Sequence, residues 1–291
     1  MRAALPVLVL LLLQTGCASG ASQARPSPSA TPAPAGSPTA AANGSPAALS
    51  HVFLVVMENK SYGEAMAVPY TAQLASQYQV ATGYHAVSHP SLPNYLALAG
   101  GSTYGITDDG YHPLPAGGIG HQLSGAGIPW RAYMEGMTAG CINSPSPYAL
   151  KHNPFAYFGG ACPPEVVPFT RLDQDLAGPA EAMPHFAWVT PDLCHDTHDC
   201  PVAEGDRFLQ GLVPRILASD AWRQGGVLYL VWDEDDGSSQ NLVPALVVAA
   251  GETVHTVQGA YDHYSLLAAV EDRLGVGRLG QAAGAHPLNP I

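Results

Sequence analysis

The chain has 291 residues, of which 11 are Lys or Arg and 23 are Asp or Glu, for a formal charge of −12. So few cations argue against a nucleic-acid partner, whose backbone calls for a basic surface. An acidic protein that meets an anionic substrate needs local positive charge, and 12 histidines offer the means to hold a cation.

Taken in order, the chain opens with Met1-Arg2, an apolar run from Leu5 to Leu13, and Gly16-Cys17. That run is shorter than the roughly 20 apolar residues of a membrane span and has the layout of an export signal. Gly16-Cys17 resembles the lipobox of bacterial lipoproteins, with Gln14 where an apolar residue is usual. Residues 1–17 are therefore expected to be a signal peptide with Cys17 as the lipidation site. Export to the cell envelope as a lipoprotein, or secretion, follows. Residues 18–49 are almost wholly Ala, Pro, Ser, Gly and Thr, with Arg25 the one charge. They cannot bury enough surface to fold and read as a disordered tether. A single domain is expected over 50–291, monomeric, with no membrane contact beyond the lipid anchor.

His51 to Met57 is continuously apolar and rich in β-branched residues, as in a strand covered on both faces of a parallel sheet. It stops at Glu58-Asn59-Lys60-Ser61. A helix is expected from Pro69 to Tyr78. In Ser88 to Ser102, two prolines steer the backbone around Ser91 into extended or turn geometry. A short apolar helix follows, closed by Gly100-Gly101, so Ser91 sits at a helix N-terminus, a good seat for a nucleophile near an anion. Phe186 to Thr190 reads as a strand running into Pro191-Asp192, Asp206 to Ser219 as a helix, Gly226 to Trp232 as a strand ending in Asp233-Glu234, and Leu242 to Ala250 as a strand. Asp262 is a suitable N-cap for a last helix reaching Leu274. The alternation predicts an α/β fold, a three-layer sandwich around a mainly parallel sheet.

Three apolar strands thus end in carboxylates: Glu58, Asp192 and Asp233-Glu234. Like charges gathered at one sheet edge repel, and a bound divalent cation resolves the repulsion. Oxygen ligands with one or two imidazoles suit zinc first, then manganese, magnesium or calcium. Cys141, Cys162, Cys194 and Cys200 allow three pairings; Cys141–Cys162 and Cys194–Cys200 are favoured because both close short loops. A thiolate zinc site lacks the C-x₂-C spacing.

Val-Val-Met-Glu-Asn-Lys-Ser-Tyr (55–62), His-Pro-Ser-Leu-Pro-Asn-Tyr (89–95), the run 190–200, Trp-Asp-Glu-Asp-Asp-Gly (232–237) and Tyr-Asp-His-Tyr-Ser (261–265) together resemble the phosphoesterase family of the alkaline phosphatase superfamily, which includes acid phosphatases and phospholipases C. The resemblance implies an alkaline phosphatase-like fold and a phosphatase or phosphodiesterase that uses a phosphoseryl intermediate, one or two divalent metals and a small phosphoester substrate. It makes Ser91 the nucleophile. Glu58, Asn59, Asp233 and Glu234 become ligands of one metal, and Asp192, His198 and His263 of a second. Asn94 falls in the motif as a substrate contact. His89 and His85, near Ser91 in sequence, are candidates for protonating the leaving group or contacting phosphate. The alkaline phosphatases carry Asp-His where this chain has Asp233-Glu234. The histidine expected four residues after Asp192 is Asp196, so His198 is preferred over His195. Tyr95 stands where a sulfatase needs Arg, and no serine has the G-x-S-x-G surround of an esterase. The other reading is a non-catalytic lipoprotein with a structural metal. The stretch from Asp108 to Thr170, rich in Gly, Pro and aromatics, is expected to cover the site and select substrate, with Lys151 and His152 near phosphate or in solvent.

Overall fold

Six apolar residues, Val52–Met57, form the central strand, and every one of them is buried. A strand with both of its faces covered has no need of alternation, which explains the unbroken apolar run. The computed structural model describes residues 50–251 and 256–289. The expected signal peptide, Cys17 and the tether lie outside the described residues. The described residues form ten strands: β1 (Val52–Met57), β2 (Gln79–Ala81), β3 (Tyr84–His85), β4 (Trp130–Met134), β5 (Val166–Pro168), β6 (Phe186–Thr190), β7 (Val227–Trp232), β8 (Ala245–Ala249), β9 (Thr256–Val257) and β10 (Tyr261–Asp262). Eight of them form one sheet in the order β5-β4-β6-β1-β7-β8-β2-β9, while β3 and β10 pair separately. All pairings in the large sheet are parallel except the two made by β8. The fold is therefore α/β with a mostly parallel sheet, as the alternation of elements predicts.

Register is what positions the site. Met57 pairs with Trp232 at the ends of β1 and β7, so Glu58 and Asp233 emerge side by side. The Asp233 N–H donates to the Met57 carbonyl at 2.9 Å, and the Glu58 N–H donates to the Asp196 carbonyl at 2.8 Å, which draws the segment after β6 against the end of β1. In such sheets ligands bind beyond the carboxyl ends of the strands.

The helix Ser91–Gly100 begins on Ser91 itself, two positions before Pro93, with Pro90 as its cap residue. It packs against the helix His263–Leu274, which Asp262 caps through the Ser265 N–H at 2.9 Å. Gly101, at φ 71°, ends the nucleophile helix. A Cβ there would fall 2.3 Å from the Leu279 carbonyl oxygen, and one at Gly280 would fall 2.3 Å from that of Gly101. Two backbones meet at this point with no room for a side chain, and the Gln281 N–H donates to the Gly101 carbonyl at 2.8 Å.

The stretch Asp108–Thr170 departs from the expectation of a simple cover. It contributes β4, β5 and the helix Gly118–Gly125 to the fold. Arg131 hides β4 from a hydropathy reading. Its guanidinium leaves the apolar run of that strand to pair with Asp175, which also accepts a hydrogen bond from the Tyr133 hydroxyl at 2.7 Å. Both favoured disulfides, Cys141–Cys162 and Cys194–Cys200, are formed. Among the described residues no helix is long and apolar enough to cross a membrane.

Candidate active site

Ser91 is wholly buried. Its hydroxyl lies 3.1 Å from Glu58 Oε2 and 3.2 Å from Glu234 Oε1, to either of which it can donate. Asn59 takes a left-handed turn at φ 46°, a conformation Asn tolerates better than most side chains. The turn aims its backbone N–H at Asp233 Oδ1 and its side-chain amide at Glu234 Oε1, each at 3.3 Å. Four of the sequence-chosen residues, Glu58, Asn59, Asp233 and Glu234, are thus assembled around Ser91. His89 joins them from the loop before the helix. Its Nδ1 lies 2.6 Å from Glu234 Oε2 and its Nε2 3.2 Å from Asp235 Oδ1, with the side chain 47% exposed. Ser91, Glu234 and His89 therefore form a connected path from the buried hydroxyl to solvent.

The imidazoles differ from expectation. Glu58, His152 and His198 point one ligand atom each at a common position, all within 4.8 Å of one another. His152, which sequence reading placed near phosphate or in solvent, is buried and stacks on Tyr95 with ring centroids 5.1 Å apart. Its Nε2 lies 3.3 Å from Glu58 Oε1 and its Nδ1 3.1 Å from Asp196 Oδ2, yet none of these four atoms makes a directed hydrogen bond. Asn59 Oδ1 and Asp233 Oδ2 are also buried and unbonded. Asp196, the departure from the family pattern, is fully buried and fixes the segment by accepting the His198 N–H at 2.7 Å. Thr197 between them holds φ 83°. That is strained for a β-branched residue, and its hydroxyl donates to the Glu58 carbonyl.

Electrostatics point to a cation. Burial first, then repulsion from neighbouring carboxylates (Asp196 for Glu58, Glu58 and Glu234 for Asp233), pushes the carboxyl groups of Glu58 and Asp233 well above the ordinary carboxylate range. Burial likewise raises Asp196 and Glu234. Burial, with Lys151 and His198 alongside, holds His152 well below the usual imidazole value, so its ring is neutral and has a lone pair to give. Four buried acids, a neutral imidazole and several buried polar atoms without partners converge on one place. That donor set fits a divalent cation of the zinc or manganese type. Lys151 lies at the same place, and its ammonium is raised. Burial works against its charge, but Asp109 and the surrounding carboxylates more than offset that.

Four sequence-based assignments need correction. Asp192 does not join His198. It sits with Glu135 and His195, whose ligand atoms form a second acidic group, and Glu135 Oε2 accepts the Asp192 N–H at 3.0 Å and lies 3.0 Å from His195 Nδ1. His263 is buried with both ring nitrogens in use, Nδ1 at 2.8 Å from the Tyr84 hydroxyl and Nε2 at 2.6 Å from the Asp233 carbonyl. Burial lowers its pKa to about 4, so it is a neutral brace behind the Asp233 backbone, and it lies outside the group of ligand atoms that Glu58, His152 and His198 form. Asn94 is not a substrate contact either: its side chain accepts the Val87 and Ser88 N–H groups and donates to the Ser88 and Pro90 carbonyls. It ties the loop carrying His89 to the nucleophile helix. His85 is exposed on β3, held to the Gln240 carbonyl at 3.1 Å.

The profile of the Phosphoesterase family matches residues 64–277. A phosphatidylinositol-3-phosphatase of Mycobacterium tuberculosis is 31% identical over 83% of this chain and 82% of its own length. An acid phosphatase of Aspergillus fumigatus is 27% identical over 84% of the chain, which spans about three fifths (59%) of that fungal protein. In fold, the chain matches a crystal structure of an alkaline phosphatase superfamily protein from Vibrio parahaemolyticus with a TM-score of 0.59, at 12% identity, over 84% of this chain and 70% of the other. A family match that runs through most of the folded body, on an alkaline phosphatase-type sheet, settles the classification: the chain belongs to the Phosphoesterase family and is a phosphoric ester hydrolase.

Proposed function

We propose that this protein is a cation-dependent phosphatase in which Ser91 attacks phosphorus and carries the phosphoryl group as a phosphoserine. The observation that carries the reading is the Ser91 hydroxyl, buried at the first residue of a helix and within hydrogen-bonding distance of two carboxylates. A serine ionises poorly at neutral pH and needs a neighbouring base, and a buried carboxylate is a stronger base than an exposed one. In the first half-reaction the Oγ–P bond forms and the ester P–O bond breaks. The electron pair leaves on the alcohol oxygen, and the serine proton passes to Glu234. His89, half exposed and 2.6 Å from Glu234, connects that proton to solvent, from which the leaving oxygen is protonated. Water then attacks phosphorus, the P–Oγ bond breaks, Ser91 recovers a proton and inorganic phosphate departs.

Glu58, His152 and His198, with Asp233 and Glu234 beside them, are the residues that would hold the cation. It supplies positive charge that eases ionisation of Ser91 and offsets the charge on phosphoryl oxygens. Monoesters are the favoured substrates because the named relatives are phosphatases, and one of them places a phosphoinositide among the esters to try. The two cystines support an oxidising compartment, in keeping with export and acylation at Cys17. A Cys17→Ser chain recovered in the membrane fraction as fully as the parent would refute the acylation.

The deciding experiment compares p-nitrophenyl phosphate with bis-p-nitrophenyl phosphate, before and after chelation, with metal content measured in parallel. Turnover of the monoester that chelation removes and Ser91→Ala abolishes is the expected result. Full activity of Ser91→Ala, or of protein stripped of metal, would refute the mechanism.

A further inference from the structure

Lys151 has no part in the mechanism above, yet its ammonium faces the nucleophile. Nζ lies 3.4 Å from Ser91 Oγ, 3.2 Å from His198 Nε2 and 3.0 Å from Asp109 Oδ2. The other oxygen of that carboxylate, Asp109 Oδ1, accepts the Leu92 N–H at 3.0 Å. Leu92 is the second residue of the helix Ser91–Gly100, so its N–H is one of the donors a helix leaves free at its start. The Asp109 carboxylate therefore bridges a backbone amide and an ammonium, both adjoining the attacking oxygen. A tetrahedral phosphoryl group aligned for attack by Ser91 needs the same two kinds of donor for its non-bridging oxygens. Asp109 is 31% exposed, on a segment whose outer residues Tyr104 and Tyr111 are also exposed. It reaches the donors from the mouth of the site and is not part of the core.

We propose that Lys151 is a further catalytic residue, taking a non-bridging oxygen of the phosphoryl group that Ser91 attacks, and that Asp109 is an internal anion which occupies the Lys151 and Leu92 donors until substrate displaces it. The proposal rests on Ser91 being the nucleophile. Lys151 makes no covalent bond and transfers no proton: as the Oγ–P bond forms and the ester P–O bond breaks, the ammonium balances charge on the oxygens that stay with phosphorus. A dianionic monoester displaces the single charge of Asp109 more readily than a monoanionic diester does. The arrangement thus favours monoesters and makes every anion bind more weakly than the empty seat would allow.

Binding of inorganic phosphate, measured by calorimetry in the metal-loaded Ser91→Ala protein, isolates the seat from the chemistry. Adding Asp109→Ala, or Asp109→Asn, which keeps an acceptor for the Leu92 N–H, is expected to tighten phosphate binding about fivefold or more. Adding Lys151→Met should weaken it by about tenfold. In the active enzyme Lys151→Met should cut kcat by about 10² to 10³, the usual loss for one transition-state donor. In a protein that lacks Lys151, removing Asp109 should recover only part of the gain. If Asp109→Ala and Asp109→Asn both weaken phosphate binding, Asp109 is a fixed support for Lys151 and the displacement is wrong. If Lys151→Met leaves phosphate affinity and kcat unchanged, the catalytic role falls. Retained turnover in Ser91→Ala alone would instead refute the nucleophile, whatever the phosphate titrations show.

Discussion

Glu271 gives the sharpest quantitative test of the electrostatics. It lies fully buried on the helix His263–Leu274, which packs against the nucleophile helix. Oε1 accepts the Leu279 N–H at 2.8 Å, while Oε2 has no partner. Burial is the main cause that pushes its carboxyl from 4.5 up to about 8, the Leu279 N–H and Arg278 pulling it back less. The folded state therefore holds this proton over a pH range where the unfolded chain has lost it. The stability so conferred is fully present below pH 4.5 and is lost as pH rises towards 8. One pKa unit corresponds to about 1.4 kcal/mol, so the whole window caps the effect at about 5 kcal/mol. Partial hydration of the ionised form brings the working figure to about 3 kcal/mol. Glu271→Gln keeps an acceptor for Leu279 and removes the charge. Part of the window is already spent at pH 5.5, so relative to the parent it should gain about 2 kcal/mol between pH 5.5 and 8.5, or roughly 4 to 8 °C in Tm for a body of this size. Thermal melts of both proteins at the two pH values measure it. Any constant cost of the new amide appears at both and cancels. An equal Tm difference at pH 5.5 and 8.5 would show that the carboxyl titrates normally, and the reasoning would be refuted.

Other consequences are open to direct measurement. His152→Ala should lower kcat by about 10² or more and reduce bound metal together; lost activity with metal content unchanged would remove His152 from the cation site. Asp206 accepts the Tyr70 and Thr71 N–H groups and the Thr71 hydroxyl, capping the helix Pro69–Gln77 from the helix Val202–Ala218. Asp206→Ala should cost about 2 kcal/mol in urea unfolding, and a cost below about 0.5 kcal/mol would count against the cap. Replacing both Cys194 and Cys200 by Ser opens a loop of six-residue separation and should cost about 2 kcal/mol by chain entropy, with activity falling further because His195 and His198 lie inside that loop. An active variant with unchanged kcat would show that Asp196 and Thr197 hold His198 unaided.

Much of this was legible in the sequence because strands of a parallel sheet carry an unmistakable pattern. β1, β6 and β7 are apolar runs that stop at acids, and a shared register turns those stops into neighbours, as Glu58 and Asp233 show. Ser91 was legible from the prolines that fix its backbone. Local cystines were legible because short loops leave few ways to pair. What escaped depends on the third dimension. Nothing in Lys151-His152-Asn153 says that the histidine is buried against Tyr95 while the lysine turns to the nucleophile. Asn94 and His263 sit in the right motifs, but their polar atoms are spent on backbone groups, which spacing along a chain does not reveal. Asp192 missed His198 because Asp196 and the strained Thr197 turn that segment back on itself.

The backbone contact between Gly101 and Gly280 has a consequence in time. The helix that begins with Ser91 is translated before the segment that abuts its end and before the helix His263–Leu274 that packs along it. Seating of the nucleophile helix is therefore expected to wait until synthesis has passed residue 280. A stop codon after Gly275 would leave every catalytic residue in place and still silence hydrolysis of p-nitrophenyl phosphate. Activity in that truncated chain would show that the helix stands without its late partner.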